Sequence, residues 1–164
     1  MRSKAYPIAL GGMLAAVAVV LMCLGTIVPV ATYAAPVLCM MVCQVVLKLC
    51  GSRIAWAWYA VVAILGLLLA PDKEAAAVFL ALGYYPVVKP KLDRMRGKWL
   101  WKGLLFNGSV LALYWILLKL IGVEQLVADF EGMDIAMYMV LLVLGNVTFF
   151  LFDHILSKKL KRIR

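Results

Sequence analysis

Charge is scarce in this sequence, and negative charge most of all. Of 164 residues, eight are Asp or Glu, and all charged residues together make up 15%. A soluble domain carries about 25% charge and is about 45–50% apolar. This chain is 66% hydrophobic, with a mean hydropathy of +1.01. That balance excludes an ordinary water-soluble fold. There is no CxxC pair, so the usual thiol metal and redox spacings are missing. HExxH and a Gly-rich phosphate loop are absent too. No Ser, Cys or Glu stands at a spacing that completes a triad with the single His154. Asp153 and His154 are neighbours about 100° apart on a helix, so they do not face each other. The chemistry-bearing motifs of enzymes are therefore missing, and the chain reads as a non-enzyme without cofactor.

What is present is a series of long apolar runs. About 20 apolar residues span a bilayer, with roughly 17–25 tolerated. Six such runs predict helices over about 7–28, 34–50, 54–70, 73–89, 100–121 and 134–156. The expected fold is all-α: one polytopic membrane domain over 1–164, a bundle of six transmembrane helices. The first run is longer than the core of a cleavable signal and leads into no soluble chain, so it is expected to remain as a span. Pro29 and Pro36 are expected to bracket a turn. Asp72 is placed to cap the fourth helix. Pro86 should kink or unwind that helix near its end, because its ring meets the carbonyl of Leu82.

Orientation follows from the basic residues, because cytoplasmic loops keep Lys and Arg. With six alternating spans, fifteen of the seventeen fall on one side. They lie at the N-terminus, beside Lys48 and Arg53, in the loop from Lys89 to Lys102, and in the tail after Leu156. Lys73 and Lys119 are left for the other side, which also holds Asp72, Glu74, Glu124, Asp129, Glu131 and Asp134. Both termini are thus expected in the cytoplasm of a bacterial cell whose membrane holds the protein. The net charge of +9 is a topology signal, and nucleic acid is not an expected partner. Trp56, Trp58, Trp99 and Trp101 flank the inner ends of spans, where indoles anchor at the interface. The loop from Asp93 to Trp101 is expected on the membrane surface, either against anionic lipid or as a docking site for a cytoplasmic protein. Val123, Leu126, Val127 and Phe130 predict a short amphipathic helix over about 123–130, a connector on the headgroups or a lid.

Polar groups inside lipid are costly and are either paired or functional. Gln44 with Lys48, Tyr85 with Lys89, Asn107, and Asn146 with Asp153 occupy the inner half or the middle of their helices. They serve interhelical hydrogen bonding, with Lys48 or Lys89 paired to Asp153, or they line a solute cavity. The candidate solute residues are Gln44, Tyr85, Lys89, Asn107, Asn146 and Asp153. Cys39 and Cys43 stand one turn apart; they are a conceivable metal pair, or small hydrophobes inside the bundle. No metal site is expected. On helix 1, Gly11, Ala15 and Ala18 share one face, with Gly12 and Ala16 beside it. Small residues four apart allow close backbone approach, either inside the bundle or against another membrane subunit.

Six helices in a chain of this size, both ends inside and a small-residue face on helix 1 resemble the S-components of energy-coupling-factor (ECF) transporters. More locally, Ala9-Leu10-Gly11-Gly12, Pro71-Asp72-Lys73, Gly83-Tyr84-Tyr85-Pro86 with Lys89, and Lys102 followed by Phe106-Asn107 resemble a group of small Firmicute membrane proteins. The first resemblance implies a substrate-binding subunit for uptake of a vitamin or related micronutrient. It would be docked through helix 1 on a transmembrane coupling subunit with a pair of ATPases. Gly11-x-x-x-Ala15 and Gly12-x-x-x-Ala16 match that family's AxxxA pattern by size. The family's substrate site opens outward, whereas the polar residues here lie mostly inward of it. The alternative class is a scaffold of an envelope complex without transport activity.

Overall fold

The computed structural model describes residues 5–24, 31–116 and 135–162. Among these residues the chain is helical, without strands. It divides into two compact units, Met1–Arg96 and Gly97–Arg164.

The first unit holds α1 (Ala5–Leu24), α2 (Ala31–Cys50), α3 (Ser52–Leu69), α4 (Lys73–Leu82) and α5 (Tyr85–Leu92). Helix α1 packs on α2 and α3, and α2 also packs on α3, α4 and α5. Its buried stripe is Gly11, Ala15, Ala18 and Met22, which recurs at helical spacing. Small residues set the approach of α1 to α3. A Cβ on Gly11 would stand 3.3 Å from Ile54 Cγ2, and one on Gly66 would stand 2.8 Å from Met22 Sδ. Moving along α1 from Gly11 to Met22 therefore moves along α3 from Ile54 to Gly66, so the two helices run parallel. Cys39 reaches from α2 to the Ala18 carbonyl at 3.3 Å.

The connections follow local chemistry. Gly51 alone links α2 to α3, at a φ of 89° that glycine adopts without a Cβ penalty. Lys73 Nζ donates to the Leu67 carbonyl at 2.8 Å, satisfying one of the open acceptors at the end of α3. Asp72 caps α4 as expected, accepting from the Ala75 amide at 3.0 Å.

Several expectations are corrected. Helix α2 begins at Ala31 and runs through Pro36, so Pro36 does not end a turn. Proline forfeits one backbone bond there, and its fully buried ring is held by packing. The helix expected over 73–89 is two segments broken at Gly83-Tyr84, with Pro86 in the first turn of α5. That is the one place where a missing N–H costs nothing. Trp58 is buried in the core, edge-on to Phe79, and is not an interfacial anchor. Trp56, Trp99 and Trp101 are exposed.

The second unit holds α6 (Lys98–Ile116) and α7 (Ile135–Arg162). The pair is antiparallel, since contacts five residues further along α6 lie seven residues earlier on α7. Phe106 stacks on Phe149 with centroids 4.5 Å apart. The amphipathic segment expected over 123–130 lies outside the described residues, as do 25–28 and 117–121 of the expected spans. Among the described residues two helices, α1 and α3, are long and apolar enough to cross a membrane.

Candidate functional site

The six candidate residues fall three to each unit. In the first, Gln44 comes from α2, and Tyr85 and Lys89 from α5, the short helix that packs on α2. All three are buried, Lys89 completely so, at 0% exposure. The break at Gly83-Tyr84 is what places them. It restarts the helix at Tyr85, so Tyr85 and Lys89 stand one turn apart on the buried side of α5. Lys89 Nζ lies 5.9 Å from the Tyr85 ring centroid, within range of a cation–π contact. Its carboxylate neighbour is Asp93 at 3.9 Å, a residue that is partly exposed. Burying an ammonium demands such compensation. None of the three side chains is free.

The aromatic rings of Tyr59 and Phe79, and of Tyr59 and Tyr84, meet at centroid distances near 6 Å. The Tyr59 hydroxyl donates to the Leu80 carbonyl, tying α3 to α4. The Trp58 indole N–H is buried without an acceptor among the described residues. Such an orphan costs about 1–3 kcal/mol.

In the second unit the polar residues find each other. Lys102 Nζ donates to Asp153 Oδ2 at 2.9 Å, and both side chains are about 95% buried. One step along the seam, Asn107 and Asn146 exchange reciprocal amide bonds, each 3.1 Å. The second proton of each amide goes to a carbonyl of its own helix, that of Gly103 or of Leu142. The donors of both amides are therefore fully used. This arrangement can lock two helices in register, and it presents no spare amide proton to a solute.

One addition follows: within the second unit Asp153 pairs with Lys102. Lys102 itself is the buried partner that the sequence does not single out, since it reads as one more basic residue of the loop. Its signal was the facing helix: Asn146 and Asp153 lie on one face of α7 and require two polar partners on α6, where Asn107 supplies only one.

The small-residue face of α1 is also divided. Gly11, Ala15 and Ala18 are buried, while Gly12 and Ala16 are exposed. The close-approach role of the first three is taken up by α2 and α3. None of the four cysteines is in a disulfide, and Cys39 and Cys43 are buried as small core residues. Among the described residues no three His, Cys, Asp or Glu side chains come together as a metal-holding group.

Compared with models of protein families, with curated proteins and with solved structures, the chain matches none.

Proposed function

We propose that this chain is an integral membrane subunit with six spans and both termini in the cytoplasm. It binds a small solute for uptake, in the manner of an S-component, without bond chemistry of its own. The observation that supports the membrane part is an inverted partition of side chains. Large apolar residues lie exposed along every long helix: Ile8, Met13 and Val20 on α1, Ile64 and Leu68 on α3, Leu100, Leu104 and Leu111 on α6, and Val143, Val147 and Leu151 on α7. Meanwhile Gln44, Lys89, Lys102 and Asp153 are buried. In water an apolar surface of that extent drives association. In lipid it is the ordinary exterior, and polar groups turn inward. The fifteen-to-two division of basic residues supports the orientation.

The uptake part rests on the S-component likeness and on the buried Gln44, Tyr85 and Lys89. These three are the solute residues we retain, and the solute class is a vitamin or related micronutrient. Partners would be a transmembrane coupling subunit and an ATPase pair, and they would move the subunit by binding its conformations unequally. The second reading, an envelope scaffold, is favoured by the seam of α6 and α7, where Asn107, Asn146 and Asp153 are committed to helix pairing.

Purification of the tagged chain from membranes separates the two. An uptake subunit brings down a coupling membrane protein with two ATPases. A scaffold brings down envelope proteins and shows no thermal shift with any micronutrient. A C-terminal tag that reacts from outside intact cells would sink the six-span orientation.

A further inference from the structure

Helices α1 and α3 touch where Gly11 meets Ile54, and a surface groove opens beside that contact. The groove has a volume of about 350 Å³. Its walls are apolar, with Gly12 and Ala15 on one side and Ala57, Trp58 and Val61 on the other. One charge lines it. Arg53, in the first turn of α3, is exposed and has no ion-pair partner among the described residues. From Arg53 to Val61 is eight residues, about 12 Å at ~1.5 Å per residue. Along that length the apolar walls suit one hydrocarbon chain.

We propose that this groove holds one anionic phospholipid, with its phosphate on the Arg53 guanidinium and one acyl chain lying along Gly12, Ala15, Ala57 and Val61. The inference rests on the membrane reading above and is independent of uptake. Under that reading α1 and α3 both start at the cytoplasmic face. The open end of the groove, with Arg53, then lies at headgroup level of the leaflet that carries anionic lipid. Guanidinium and phosphate make a charge-assisted, two-pronged match. Deeper in, the walls offer no second charge, which suits a hydrocarbon tail. Gly12 lines the groove, and a Cβ there would meet nothing within 4 Å. The glycine is therefore not required by packing inside the chain.

The test uses the full chain reconstituted in vesicles of equal phosphatidylcholine and phosphatidylglycerol, then released for native mass spectrometry. The expected result is one retained phosphatidylglycerol per chain. In Arg53→Gln the preference for phosphatidylglycerol over phosphatidylcholine falls about five-fold, the ratio for one basic residue near an anionic leaflet, while Arg53→Lys keeps part of it. Gly12→Leu fills the groove and lowers retention of both lipids, with the helical circular dichroism signal unchanged. Retention unaffected by Arg53→Gln and Gly12→Leu overturns the proposal. So does a Gly12→Leu variant that keeps its lipid but loses a co-purifying membrane protein, because the groove then belongs to a partner. Release of the chain from membranes by alkaline carbonate removes the membrane reading itself, and the lipid site with it.

Discussion

Lys102 and Asp153 form an ion pair of 2.9 Å inside the seam of α6 and α7, with both side chains almost wholly covered by protein. Each carries a charge that the surroundings would otherwise reject, so each is the condition for the other's burial. The pair sits one step from the reciprocal Asn107–Asn146 bonds. Two polar contacts at fixed spacing allow one register between the helices and penalise every slip.

Removing one member leaves the other buried without its ion-pair partner across the seam. Lys102→Met or Asp153→Leu should each destabilise the helix pair by about 3–5 kcal/mol. The double variant, with two apolar side chains of similar bulk, should recover much of that loss. Thermal unfolding of the purified protein in detergent, run as a double-mutant cycle, measures the coupling. Two single losses that simply add would show that the pair contributes nothing as a pair.

The amide pair is neutral, and its loss should be milder. Asn107→Leu should cost about 0.6–1.7 kcal/mol, the range for interhelical hydrogen bonds in lipid, even though it strands the Asn146 amide. Because both amides are already saturated by helix partners, the variant should leave solute binding unchanged. A solute thermal shift that disappears in Asn107→Leu at unchanged stability would return this residue to the binding site.

The sequence made the helices legible because hydropathy and length are local properties. The 3.6-residue spacing of Gly11, Ala15 and Ala18, the Asp72 cap and the disruption near Pro86 depend only on neighbours within a turn or two. Where the outcome depended on a distant helix, it was not legible. Pro36 is carried through α2 by packing that no local rule encodes. Trp58 looked like its neighbour Trp56, and only the position of Phe79 on α4 sets one in the core and the other outside. Lys102 resembled five other basic residues of its loop, and its role became visible only once α7 was laid against α6. The candidate site shows the same division. That Gln44, Tyr85 and Lys89 are buried polar groups could be read along the chain, but the choice of Lys102 as the partner of Asp153 could not.

The division of the α1 face makes two alanines, two residues apart, behave differently. Ala18 is fully buried, and its carbonyl accepts from Cys39. Ala18→Leu should therefore overpack the contact with α2 and cost about 1–3 kcal/mol. Ala16 is exposed, so Ala16→Leu should leave the melting temperature nearly unchanged. If a coupling subunit docks on this helix, Ala16→Leu is the variant that should lose it from co-purification while the bundle stays folded. Loss of the partner in Ala18→Leu alone, at full stability, would instead place the docking surface on the buried stripe.

Two glycines of the first unit should also separate in their tolerance of alanine, by the softness of what their Cβ would meet. At Gly66 the nearest atom is Met22 Sδ at 2.8 Å, in an unbranched side chain with three rotatable bonds. Methionine can give way, and Gly66→Ala should cost about 1 kcal/mol, near the low end for overpacking. At Gly83 the nearest atom is the Phe79 carbonyl oxygen at 2.5 Å, followed by the Phe79 ring at 2.8 Å. That carbonyl also accepts the Gly83 N–H at 2.6 Å, so backbone and ring would have to move together. Gly83→Ala should therefore cost at least about 3 kcal/mol, the upper end of the same range. It should also disturb the restart of the helix at Tyr85 and with it the placement of Lys89. Melting temperatures of the two variants give the order. Gly66→Ala melting below Gly83→Ala would show that the close turn at Gly83-Tyr84 does not hold α4 and α5 in place.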